Sequence, residues 1–536
     1  MIDPDRFTSR RSTVYAPNGI VATSQPLAAQ AGISILQAGG NAFDAAVGTA
    51  AALNVVEPTS TGIGGDVFAM YRTAEGEIGA MRSCGGAPKA ATINAVRNAV
   101  SSDSDTKEAS MPETGPHTVT VPGTTRGWEA TIDRFGQRSL ATVLQPAIEY
   151  ARNGYPVTEI IASQWKQAEE LFTDSHARDA FLLDEYAPKA GETIQLPKLA
   201  DSLEQIATNG ADVVYEGNIA DAIVEEVQSK GGFLEKRDLQ NHDPEFVDPI
   251  LITYNGATVY ELPPNNQGPI VLEALNIAEE IGASDSSFQS SDRVHRFAEA
   301  MKLAFHDGHR HIADPDYTDI PALTSKAYAH QRATTISDTA ANDVNFGVPN
   351  TPAEDADTVL LTVGDDDGNL VSFINSRFKG FGSGLVAGDT GIALQNRGSS
   401  FSLDPDHPNH LEPGKRPFHT LIPALVQFDT DDWAAFGTMG GYMQPQGQVQ
   451  ILSNIIDYDL PLQEALDAPR WRYRENGQLA VEERMGNTIP TKLSRRGHHI
   501  SVRPPDMFGG AQIVRNNNGT LSGASEPRKD GMAVGF

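Results

Sequence analysis

The spacing of apolar and polar positions changes several times along the chain, and each change marks an element. "TVLLTV" (Thr358–Val363) is a β-branched and apolar run that reads as a strand. "DDDGN" (Asp365–Asn369) supplies turn residues, and "LVSFI" (Leu370–Ile374) reads as the returning strand of a hairpin. The approach to Thr358 holds Pro349, Pro352 and a scatter of Asp, Asn and Ala, so the strand is predicted to start abruptly out of a loop. Upstream, "GGNAFDAAVGTAAALNVVEP" is an Ala-rich helix with Asn41 as N-cap and Pro58 as its stop. "STGIGGDVFAMYR" predicts a Gly-rich turn entering a strand. Helical periodicity dominates from Leu140 to about Ala313, as in "SLATVLQPAIEYARNGY" and "SDRVHRFAEAMKLAFHDGHRH". Beyond Thr358 strands and turns are denser, closing on a helix pair in "GQVQILSNIIDYDLPLQEALDAP". The polar, acidic stretch Ser101–His117 predicts a surface loop or disordered insert. With no internal repeat, this uneven alternation predicts a mixed α/β layered fold.

Composition narrows the function classes. The chain has 536 residues, 39% hydrophobic and 21% charged, enough for a large core. Its 41 Lys and Arg against 70 Asp and Glu give a formal charge of −29, which argues against nucleic acid and membrane surfaces as partners. The single cysteine, Cys84, allows neither an intrachain disulfide nor a Cys-based zinc site. No secretory leader or membrane span is visible in the sequence, so a soluble protein of a reducing cytoplasm is expected.

Several stretches invite a chemical reading. "GIGGD" (Gly62–Asp66), "GFGSG" (Gly380–Gly384) and "GTMGGY" (Gly437–Tyr442) lack the phosphate-loop pattern, which leaves turns or a close backbone approach as their use. His306, His309 and His311 resemble metal-ligand spacing, but i+5 leaves the shared face, so a solvated helix end is expected. "DDDGN" fails the calcium-loop spacing. Cys84 reads as a small buried thiol. Thr358 is different. A Thr hydroxyl is a poor nucleophile without a base, and cutting the chain just before it makes its own α-amine that base. Such an amine has a pKa of roughly 7.7–8, near working pH.

The motifs around Thr358 point the same way. "FGSGLVAGDTGIALQNRG", "PGKRPFHTLIPALV", "GTMGGYMQPQ" and "LQEALDAPRW" resemble the small subunit of the γ-glutamyltranspeptidase family. "GGNAFDAAVGTAAALNVVEPTSTGIGGDVF", "VPGTTRGW" and "EAMKLAFHD" resemble its large subunit, and the ending "EPRKDGMAVGF" fits as well. The resemblance implies an Ntn-hydrolase, an αββα sandwich with an additional helical region, made as one precursor that cuts itself. Cleavage would fall between Asp357 and Thr358, giving a large subunit, 1–357, and a small one, 358–536, interlocked in one fold; a homodimer of such pairs is left open. By position Thr358 matches the nucleophile, Ser376 the hydroxyl that orients it, and Gly440–Gly441 the oxyanion hole. His419 and Thr420 stand where a pair of serines lines the family's substrate pocket. The chemistry calls for no metal or organic cofactor.

The departures bear on substrate. Where the family holds the glutamyl carboxylate with an Arg, "MRSCGGAPKA" offers Cys84 or Gly86, with Arg82 out of register. Ser400 replaces the acidic partner of the α-amine, and Phe378 replaces a glutamyl-binding Asn. A zwitterionic head group would be desolvated there without its charged partners. The sequence is closer to the γ-glutamyltransferase-like branch, which includes oxamate amidohydrolases and some cephalosporin acylases. Hydrolysis of a small amide, such as oxamate or a glutaryl amide, is therefore expected. Glutathione hydrolysis with the cation supplied by Arg82, Arg377 or Arg397 is the alternative, and a non-catalytic ligand-binding scaffold a weaker one.

Overall fold

The computed structural model describes residues 11–100, 110–347 and 356–536. Two seven-stranded antiparallel sheets lie face to face. The first runs Met532–Gly535, Gly19–Thr23, Ala356–Asp365, Leu370–Lys379, Asp66–Arg72, Ile78–Ser83, Glu245–Val247. The second runs Val14–Ala16, Thr520–Ser525, Gly510–Asn517, Asp432–Met439, Ala424–Asp429, Ala257–Glu261, Ile250–Tyr254. Helices Pro26–Gln37 and Ala42–Val56 cover the first sheet, and Gly268–Glu280 and Met443–Ile456 cover the second, giving an αββα sandwich. Both sheets draw strands from either side of the Asp357–Thr358 bond.

This layering explains the hydrophobic runs. On Ala356–Asp365, Leu360 packs between the sheets, while Val359, Leu361 and Val363 pack under the helices. A strand buried on both faces has no polar alternation to show. Every residue of Ala42–Val56 is buried, which is why that helix is built from Ala. Asn41 and Asp44 form the reciprocal cap at its start. Asp365 of the hairpin turn binds the Asn369 N–H at 2.9 Å and reaches the Ala42 N–H at 2.8 Å, tying hairpin to helix.

Some expectations needed correction. Within the region read as helical lie five strands: the short pair Tyr155–Pro156 and Thr193–Ile194, and Glu245–Val247, Ile250–Tyr254 and Ala257–Glu261, which extend the two large sheets at their edges. The hairpin turn of the last two, Asn255–Gly256, was a legible signal, masked by short half-exposed strands. His309 is not at a solvated helix end. It is buried in an aromatic cluster with Phe305, Phe346, Phe418 and Tyr442, its Nδ1 bonded to the Phe346 carbonyl at 2.8 Å. The insert predicted at Ser101–His117 falls outside the described residues up to 109, as does the loop at 348–355.

Candidate active site

The hairpin Ala356–Asp365/Leu370–Lys379 is irregular at one place. Asp357 opposes Phe378 and Val359 opposes Asn375, so Thr358 faces two residues, Ser376 and Arg377. Such a bulge re-aims side chains at the end of a strand. Phe378 shares in it with a φ of 85°, a left-handed conformation that costs a bulky residue energy. Thr358 is 2% exposed in the continuous chain, and its Oγ1 donates to Ser376 Oγ at 3.2 Å. Ser376 Oγ also accepts from the Phe378 N–H at 2.8 Å and from Arg397 Nη2 at 3.4 Å.

Arg397 brings a cation to within hydrogen-bond distance of Ser376. It is fully buried, stacks over the Phe378 ring at 4.3 Å and donates from Nη1 to Thr420 Oγ1 at 2.9 Å. Its Nε has no hydrogen-bond partner, and among the described residues no carboxylate comes within ion-pair distance of it. Burial pulls its pKa down to about 10, against the charge of Asp66. The other candidate cations are committed elsewhere. Arg82 bonds Glu245 at 2.6 Å and the Pro264 carbonyl, and Arg377 bonds the Pro58 carbonyl and lies over the Phe381 ring.

Next to Arg397 lies a buried pair, of which sequence reading named His419 and missed Asp66. His419 Nε2 meets Asp66 Oδ2 at 3.0 Å, both fully buried. The Leu421 N–H donates to His419 Nδ1, so the ring proton sits on Nε2 and points at the carboxylate. Asp66 Oδ1 accepts from Gln395 Nε2 at 3.0 Å and the Gly123 N–H at 3.1 Å. Burial raises the Asp66 pKa to about 7, opposed by Arg397 and these donors. Burial, reinforced by Arg397, drives the His419 pKa well down, so the imidazole is neutral. The signal was in "GIGGDVF": one acid at the head of an apolar strand. The glycines before it serve close backbone approach, since a Cβ on Gly65 would stand 2.4 Å from the Ser376 carbonyl oxygen.

Gly440 and Gly441 sit where strand Asp432–Met439 turns into helix Met443–Ile456, with φ of 111° and 57°. Ser400 spends its hydroxyl on the backbone carbonyls of Arg397 and Phe418. Cys84 is buried, its pKa pushed up to about 12 mainly by burial, and its Sγ accepts from Asn265 at 3.8 Å. A thiol so held is not a nucleophile at neutral pH. An open cleft of about 450 Å³ lined by Gly86, His242, Glu245, Asp314 and Arg416 ends at Cys84; neither Thr358 nor Arg397 lines it.

An αββα sandwich with a threonine at the head of a central strand has the architecture of the N-terminal-nucleophile hydrolases, which act on amide bonds. The chain belongs to the gamma-glutamyltranspeptidase family, whose signature matches residues 28–536. It is 39% identical to the glutathione hydrolase-like YwrD proenzyme of Bacillus subtilis (strain 168), over 98% of this chain and 99% of that one. To the oxamate amidohydrolase proenzyme of Klebsiella pneumoniae subsp. pneumoniae it is 34% identical, over 98% and 100%. The crystal structure of cephalosporin acylase from Bacillus halodurans superposes with a TM-score of 0.90 at 43% identity, covering 100% and 99%. Among the described residues no helix is long and apolar enough to cross a membrane.

Proposed function

We propose that the chain cuts itself between Asp357 and Thr358 and then hydrolyses a small amide whose acyl part carries a carboxylate. The freed α-amine of Thr358 takes the proton from Oγ1, and Oγ1 attacks the amide carbon. The N–H groups at Gly440–Gly441 receive the oxyanion. Collapse expels the amine, which leaves with the proton, and water then hydrolyses the threonyl ester. Ser376 orients Oγ1 throughout.

One observation carries the substrate reading: Ser376 Oγ touches both Thr358 Oγ1 and the buried guanidinium of Arg397, which among the described residues has no carboxylate within ion-pair distance. An uncompensated buried charge costs several kcal/mol. A substrate carboxylate on Arg397 offsets that cost in the complex. Oxamate and a glutaryl amide both bring one. A γ-glutamyl group would bring an α-ammonium too, and the nearby acid, Asp66, already accepts three hydrogen bonds. Hydrolysis of the simpler acyl amides is therefore favoured over glutathione hydrolysis.

The test has two parts. Purified protein should separate on a denaturing gel into pieces of 357 and 179 residues, the smaller beginning at Thr358, while Thr358→Ala stays whole and inactive. Turnover of oxamate or a glutaryl amide should exceed that of glutathione. A Thr358→Ala protein that still cuts at this bond removes the nucleophile, and a tenfold preference for glutathione reverses the substrate reading.

A further inference from the structure

The turn Pro263–Gln267, between strand Ala257–Glu261 and helix Gly268–Glu280, grips both loops of the site. Asn265 O accepts the His419 N–H at 2.9 Å, and the Gln267 N–H donates to His419 O at 3.2 Å. The Gln267 side chain, fully buried, then divides its two amide protons. Nε2 donates to Thr420 O at 2.7 Å and to Gly441 O at 3.0 Å. One nitrogen thus holds these carbonyls no more than about 5.7 Å apart, the sum of its two legs. Thr420 carries the hydroxyl that accepts from Arg397, and Gly441 belongs to the glycine pair.

We propose that Gln267 is a positioning residue that sets the span between the carboxylate-binding guanidinium and the oxyanion glycines, and with it the acyl chain length the site accepts. The inference rests on the function proposed above. Arg397 Nη2 and Thr358 Oγ1 reach Ser376 Oγ over legs of 3.4 and 3.2 Å, which together cannot exceed about 6.6 Å. A substrate lying alongside must fit its carboxylate oxygen and scissile carbon within a similar length. At about 1.2 Å per extended chain bond, the acyl part of a five-carbon diacid spans roughly 6 Å, and a six-carbon one overshoots. Oxamyl to glutaryl groups are accepted and adipyl is refused. A Gln267 that released either loop would let the two halves of the site drift, and chain-length selection would fade.

The experiment compares oxamate, succinamate, glutaramate and adipamate on wild type and Gln267→Met, which keeps the side-chain length and lacks the donor. For wild type, kcat/KM should fall by about tenfold or more between glutaramate and adipamate, the scale of one misfitted methylene. In Gln267→Met that ratio should shrink below about threefold, kcat on the shorter amides falling more than KM rises. Gln267→Asn, whose amide reaches at most one of the two carbonyls, is the second variant and should lose discrimination likewise. Unchanged discrimination in the variants overturns the inference while the proposed function stands. So does failure of both to self-cleave with the fold intact by circular dichroism, since Gln267 would then act in processing. Wild type inert towards all four amides refutes the proposed function and this inference with it.

Discussion

Replacing Arg397 by Met separates binding from stability in a single substitution. The side chain is fully buried and has no carboxylate partner among the described residues, while its hydroxyl contacts are to Ser376 and Thr420. A substrate carboxylate would add at least one charge-assisted hydrogen bond, worth about 1.5–3 kcal/mol. Its loss lowers kcat/KM on glutaramate by a factor of about 10–150. Stability should move the other way or not at all. Removing an unpaired buried charge in favour of an apolar side chain of similar volume is often neutral or stabilising by about 1–4 kcal/mol. The assay is kcat/KM on glutaramate and on butyramide, which has no carboxylate, beside thermal unfolding of the same preparation. Arg397→Met should lose the glutaramate advantage, leave butyramide hydrolysis within a few-fold, and keep or raise Tm. Equal losses on both amides would make Arg397 part of the scaffold. A clear fall in Tm would show that the guanidinium is neutralised in the folded protein, and the argument from its burial would collapse.

The Asp66 carboxyl is raised in the folded protein from 3.8 to about 7, so its contribution to stability is complete below about 4 and lost as pH rises through about 7. Asp66→Asn should flatten the decline of Tm between about pH 4 and 7; a decline as steep as in wild type would assign it to other groups. Ionised Asp66 also opposes Arg397, so KM for glutaramate should rise through pH 7 in wild type and less in the variant. Gly441→Val should cost about 2.7–4 kcal/mol in turnover if an oxyanion donor is lost, and near-normal kcat would place the oxyanion hole elsewhere. Gly65→Ala puts a methyl 2.4 Å from the Ser376 carbonyl oxygen, so the bulge must shift and self-cleavage should slow sharply; unimpaired processing would show that the bulge is not needed for it.

Local sequence determined the local features. The strand Ala356–Asp365, which starts two residues ahead of the Thr358 start that periodicity predicts, the capped helix Ala42–Val56 and the turn Asp365–Asn369 follow from periodicity, capping and turn chemistry within a dozen residues. Where short strands carried weak alternation, as in Ile250–Glu261, the same signals were too faint to outweigh the neighbouring helical pattern. Charge placement was not local at all. Arg82, Arg377 and Arg397 are the same side chain in sequence, and what separates them is which partner each meets: Glu245, the Pro58 carbonyl, or the hydroxyls beside Thr358. Asp66 and His419 are 353 positions apart, and Gln267 stands 174 positions from Gly441. Such pairings carry no periodicity to read. A buried polar group takes whichever partner the packed layers bring within hydrogen-bond reach, and only the tertiary structure decides which one that is.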